Sequence, residues 1–189
     1  MLDENAQEEA EKGNDYLIEV GTLPDNINAN AGDVPHFPPE TVKDFSGTIT
    51  AEFSQNLRQK LLKLNAQQKT RLALLANRAT RSLLIQSPQK MISLAVLKNP
   101  KLTESEVLSY AQQRELIEDI PLAISKHTKW MRNYQIKMAV VSNPKTPLSV
   151  AINFLPHLHD TDLKSLSRDK NVSTILSRAA HNTLLKRKK

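Results

Sequence analysis

The chain has 189 residues, room for one ordinary domain or a small domain with a tail. Its glycines stand at 13, 21, 32 and 47 and it has no cysteine. Glycine-rich phosphate cradles are therefore excluded after residue 47, and disulfides, thiolate metal sites, Fe–S ligation and cysteine nucleophiles are excluded throughout. The net charge of +6 hides a split: residues 1–45 carry 11 acids and 2 bases, whereas the remainder carries 24 bases and 9 acids. An acidic arm is thus set apart from a basic body, and such a body attracts phosphates, anionic lipid headgroups or an acidic protein patch.

The first residues, MLDENAQEEAEK, are acidic and have no apolar stretch, so they do not read as a signal peptide. Apolar runs such as LALLA at 72–76 and MAVV at 138–141 are far below the ~20 residues a spanning helix needs, so no membrane span and a cytoplasmic location are expected. Residues 1–46 hold four of the ten prolines and few apolar side chains, which predicts a disordered acidic arm followed by a folded domain over 47–189. Within the arm, Pro35 and Pro38 have the P-x-x-P spacing of a polyproline-II ligand, but single matches are common in proline-bearing linkers and the favoured reading is a stiff spacer.

From the lead-in TITAEF (48–53) onward the pattern is that of short helices. Ser54 is a possible N-cap before Leu57, Leu61, Leu62 and Leu64 at helical spacing. Ser87-Pro88 predicts a cap and a first-turn proline ahead of Met91, Leu94, Ala95 and Leu97. Thr103 to Glu106 is a capping box, Thr146-Pro147 repeats the cap-plus-proline start, and Ser173 caps a last helix reaching Leu185. Nothing after residue 54 alternates with period two.

Three of these segments superimpose: TRLALLANR (70–78), ISLAVLKNP (92–100) and IKMAVVSNP (136–144). Ala73, Ala95 and Ala139 align, as do Asn77, Asn99 and Asn143, with spacings of 22 and then 44. The small residue permits close helix approach. The asparagine, tolerant of the left-handed conformation, is expected to end the helix there. Pro100 and Pro144 bar helical geometry at Asn99 and Asn143. A period near 22 built from a short helix and a turn predicts a solenoid, with degenerate units near 117 and 165.

Residues 136–160, IKMAVVSNPKTPLSVAINFLPHLHD, resemble the leucine-rich-repeat-variant unit, a bacterial relative of HEAT-like helical repeats. Ala139, Asn143, Pro144, Thr146 and Pro147 carry the resemblance, and residues 92–111 match in part. It implies an all-α, right-handed α-solenoid of short stacked helices that binds protein or nucleic acid, and no particular activity.

Two clusters are candidates for chemistry. His157, His159, Asp160 and Asp162 offer imidazole and carboxylate within six residues, suited either to zinc or manganese or to capping a helix beginning at Asp162. Lys126, Lys129, Trp130, Arg132, Tyr134 and Lys137 form the densest basic and aromatic stretch. With Trp130 and Tyr134 at i, i+4 on one helical face, it either stacks a base between cations or anchors the core beneath a solvated rim. The terminal Lys186 to Lys189 adds a basic tail. No G-x-S-x-G or H-E-x-x-H motif occurs. The expectation is a non-enzymatic scaffold or adaptor, without cofactor or small-molecule substrate, whose basic surface binds an acidic protein partner and is masked by the acidic arm. The alternative is a DNA- or RNA-binding protein, of which a HEAT-like repair glycosylase is a catalytic variant.

Overall fold

The computed structural model describes residues 37–43 and 51–187. Disorder of the acidic arm, its Pro35 spacing and its masking of the body fall mainly on residues outside that range. So do Lys188 and Lys189 of the basic tail.

The compact body begins at Phe37, ten residues before the expected boundary. Residues 37–43 were assigned to the arm by composition, yet they form a short helix, α1 (Pro39–Val42), docked on the body. Phe37 and Val42 pack against the main core, and Thr41 is only 1% exposed. A short segment with two apolar contacts and a buried threonine can hold its place even in a polar stretch, because its backbone carbonyls are bound by the body.

The other helices are α2 (Ala51–Leu62), α3 (Ala66–Leu75), α4 (Arg78–Leu84), α5 (Lys90–Leu97), α6 (Glu104–Gln112) and α7 (Asp119–Lys126). Then follow α8 (Thr128–Arg132), α9 (Tyr134–Ser142), α10 (Leu148–Phe154), a 3-10 turn (Leu155–His157), α11 (Asp160–Leu166) and α12 (Thr174–Arg187). The fold is all-α, and no strand occurs among the described residues. α5 is buried on nearly every side from Ile92 to Leu97 and lies between α3 and α7. α9 packs on α6, α7, α8 and α10, and α12 packs on α10 and α11. One core runs from Leu61 to Val140, and a second, from Val141 to Ala180, fills the C-terminal part.

Several helix boundaries follow the sequence signals. Thr103 and Glu106 form the reciprocal capping box at α6, and Ser173 accepts from the backbone of Leu176 at the start of α12. Others differ. Ser54 lies inside α2, which starts at Ala51; Leu57 and Leu61 are buried there, whereas Leu62 faces solvent. Ser87 accepts from Gln89 in a turn ahead of α5 instead of capping the helix. Thr146 donates its hydroxyl to Val140 O (2.5 Å), so it ties α9 to the following turn and does not cap α10. α11 opens at Asp160, two residues earlier than expected, with His159 before it and no side-chain cap.

The largest correction concerns the asparagines. Asn77 (φ −74°, ψ 172°) and Asn143 (φ −78°, ψ 121°) are extended, so no left-handed residue ends these helices. Their side chains carry the role instead. The Asn77 amide donates to Glu40 O and Lys43 O at 2.7 Å each. Asn99 donates to Ala73 O (2.8 Å) and Ala76 O (3.1 Å), and Asn143 to Ala111 O (2.7 Å) and Gln113 O (2.9 Å). In each case the amide NH2 satisfies two carbonyls at the end of an earlier helix, groups that have no partner within that helix. The amide oxygen simultaneously accepts a backbone N–H of its own turn, from Thr80, Lys101 or Lys145. All three are buried, where orphaned carbonyls are costly. Asparagine is required because it presents two donors and an acceptor on a short stem.

Candidate anion-binding groove

The expected helical face carrying both Trp130 and Tyr134 does not exist. Asn133 (φ −72°, ψ 117°) breaks the helix, closing α8 and capping α9 by accepting from Gln135 N (3.0 Å). Trp130 is half-buried against the main core, and the His127 ring stacks on it at 3.9 Å. Tyr134 belongs to other neighbours. Its hydroxyl bonds the Asp162 carboxylate, accepts the His159 backbone N–H (2.9 Å), and its ring lies 4.3 Å from the His159 imidazole. Burial and the bond to Asp162 hold the Tyr134 phenol above its ordinary value. The two aromatics are thus not a paired stacking platform.

The basic residues, by contrast, are brought together. Lys126, Arg132 and Lys137 line one groove of about 370 Å³ together with Ser125, Thr128, Met131, Phe154 and His157. The breaks at His127 and Asn133 create it. Lys126 ends α7, Arg132 ends α8, and Lys137 lies one turn into α9, while Ile136 is fully buried and Met131 lies at the edge of the core, where it also lines the groove. Lys129 is exposed on α8 and is not among the lining residues.

His157 arrives from the 3-10 turn, whose flanking Leu155 and Leu158 are buried. That turn is clamped by Arg187 of α12, which donates to Leu158 O (2.8 Å) and Pro156 O (2.5 Å) and pairs with Asp160 at 2.5 Å. Sequence reasoning placed Arg187 in a solvated tail and His157 in a metal or capping cluster, and missed both roles. The four candidate metal ligands are dispersed: His157 to the groove, His159 and Asp162 to Tyr134, and Asp160 to Arg187. Among the described residues no three His, Asp or Glu side chains are gathered to hold a metal ion.

The charge environment of the groove is one-sided. Residues 120–159 contain no Asp or Glu but carry Lys126, Lys129, Arg132, Lys137 and Lys145. Some exposed bases elsewhere pair with acids: Lys60 with Glu40, Lys90 with Asp119 at 2.6 Å, and Arg187 with Asp160. No described carboxylate pairs with Lys126, Arg132 or Lys137. Partial burial, and next the charge of Lys129, hold the His127 imidazole below its ordinary value.

A second cleft, of about 620 Å³, runs between α6, α9 and α11 and is lined by Arg114, Gln112, Gln135, Met138, Ala139 and Asp162 among others. It mixes charges and amides and has no single polarity. No family model matches the chain, and no curated protein or solved structure matches it.

Proposed function

We propose that the chain is a non-enzymatic helical-repeat adaptor whose basic groove at the α7–α9 junctions binds an acidic segment of a partner protein. The observation that carries this reading is the convergence of Lys126, Arg132 and Lys137 on one groove within a forty-residue stretch free of carboxylates. Unpaired cations this close repel one another, and an anionic ligand relieves that repulsion. A protein ligand is favoured over single-stranded nucleic acid because both aromatics are engaged within the fold, leaving no paired surface on which bases stack.

The architecture in this reading is a right-handed α-solenoid of the HEAT-like, leucine-rich-repeat-variant kind, working in the bacterial cytoplasm. Its support is the shared bonding of Asn77, Asn99 and Asn143, each reaching back to the end of an earlier helix from the same repeat register. Such a ladder is what nearest-neighbour stacking of units needs at its seams.

The test is fluorescence anisotropy of the full chain with labelled oligoglutamate, duplex DNA, single-stranded DNA and RNA, at about 50 mM and about 200 mM salt. Oligoglutamate should bind at low salt, weaken as salt rises, and lose at least ~10-fold in affinity in Lys126→Glu or Lys137→Glu. Binding that ignores both substitutions refutes the groove. Nucleic acid binding far tighter than oligoglutamate transfers the surface to the alternative class of partner.

A further inference from the structure

We infer that the groove is a pocket for a phosphorylated side chain of the partner protein, an inference that rests on the acidic-partner reading and narrows it. Charge and geometry separate a phosphomonoester from a carboxylate. A carboxylate brings one negative charge and two oxygens, whereas a phosphomonoester brings about −1.5 to −2 and three acceptor oxygens. The groove offers three cations, a guanidinium fork among them, and no lining carboxylate. A single carboxylate leaves most of that charge uncompensated.

Arg132 is the member that can hold two oxygens at once. Its planar fork suits two oxygens of a tetrahedral phosphate, while the ammonium groups of Lys126 and Lys137 act as point charges for the remainder. Arg132, Lys126 and Lys137 stand on three successive helices with extended residues between them, so they approach the groove from different directions. The Ser125 hydroxyl proton is committed to Leu122 O, which leaves the Thr128 hydroxyl and the His157 ring as further donors on the wall. Met131 and Phe154 supply an apolar lining suited to the carbon stem that carries the phosphate. Its volume of about 370 Å³ is of the scale that holds one side chain with its head group.

The test uses the full chain and four labelled peptides of one acidic sequence, differing only at the central position: serine, glutamate, phosphoserine or phosphotyrosine. The phosphopeptides should bind about tenfold or more tightly than the glutamate peptide. The two phosphopeptides then report whether a short or an aromatic stem fits the apolar lining. In Arg132→Lys, which keeps the charge and lies on the surface, phosphopeptide binding should fall more than glutamate binding, so the phosphate preference drops several-fold. In Lys137→Gln both should weaken.

Equal binding of the glutamate and phosphoserine peptides overturns the phosphate pocket and leaves the acidic-partner reading standing. Failure of all four to bind overturns both. An unchanged phosphate preference in Arg132→Lys also overturns the pocket as assigned, because the fork is then not what recognises the phosphate.

Discussion

Two regions of the body treat charge in opposite ways. Around α4 to α6 a base and an acid are sealed inside. Arg81 and Glu106 are 3% and 4% exposed, joined by Nε to Oε1 (3.0 Å) and Nη2 to Oε2 (2.8 Å). Arg81 also donates to Ala76 O (2.8 Å), the same carbonyl that Asn99 binds, and Glu106 accepts from the backbone and hydroxyl of Thr103. Burial raises the Glu106 pKa, but the bonds from Arg81 and Thr103 outweigh it, so its carboxyl stays below its ordinary value. Around α7 to α9 the bases stay at the surface with no acid beside them. In the first region charge is a fastening between buried partners. In the second it is a field left open to a ligand.

That contrast is most easily broken by truncating one arginine from each region. Arg81→Ala leaves Glu106 buried without its partner and should cost ~3–5 kcal/mol, read by chemical denaturation. Replacing the pair together, Arg81→Met with Glu106→Leu, should restore most of that loss, since the well-packed apolar pair needs no compensating charge. Arg132→Ala removes an exposed base with no described acidic partner and should change stability by no more than ~0.5 kcal/mol while weakening anion binding. Comparable stability losses for the two arginines would erase the distinction between fastening and field.

A smaller effect distinguishes the two roles open to asparagine at the seams. If Asn99 served by adopting a left-handed conformation, Asn99→Gly would be neutral or stabilising. Its amide holds Ala73 O and Ala76 O, so Asn99→Gly and Asn99→Ala should both lose ~1–3 kcal/mol, the cost of leaving Ala73 O unsatisfied while Ala76 O keeps only its bond from Arg81. Asn143→Gly, which releases Ala111 O and Gln113 O, should behave alike.

The common pattern around Asn77, Asn99 and Asn143 was visible in the sequence, because the spacing of small, polar and proline residues is a one-dimensional signal. So was the Thr103 capping box, where both partners lie within four residues. The work done by Asn99 was not, since its carbonyl partners lie 26 and 23 residues away and backbone groups leave no trace in composition. Arg81 looked like any surface base for a similar reason: its partner is 25 residues distant. In the groove, the lysines and the arginine were found as a dense stretch, but pairing Trp130 with Tyr134 assumed one continuous helix. Asn133 interrupts it by capping the next one, a choice between mid-helix and N-cap that asparagine leaves open locally. His157 joined the groove only through the Arg187 clamp on its turn, a contact that spans about thirty residues.

The field itself should be readable at His127, between groove residues Lys126 and Thr128. One imidazole face lies on Trp130 while the rest of the side chain meets water, so partial burial leads and the charge of Lys129 follows in holding its pKa down. With the folded value below the unfolded one, the unfolded chain binds more protons between them. The stabilising stack is therefore fully present above the unfolded value and is lost as pH falls through the folded one. Because His127 is exposed, the effect on stability is small, and an NMR titration of its ring is the sensitive measurement. Trp130→Leu should raise the midpoint most and Lys129→Gln by less, in the order of the two causes. A saturating anionic ligand in the groove should raise it as well, because negative charge next to Lys126 offsets the field that disfavours the imidazolium. A midpoint that Lys129→Gln shifts but the ligand does not would mean that the bases act on His127 while the ligand binds elsewhere.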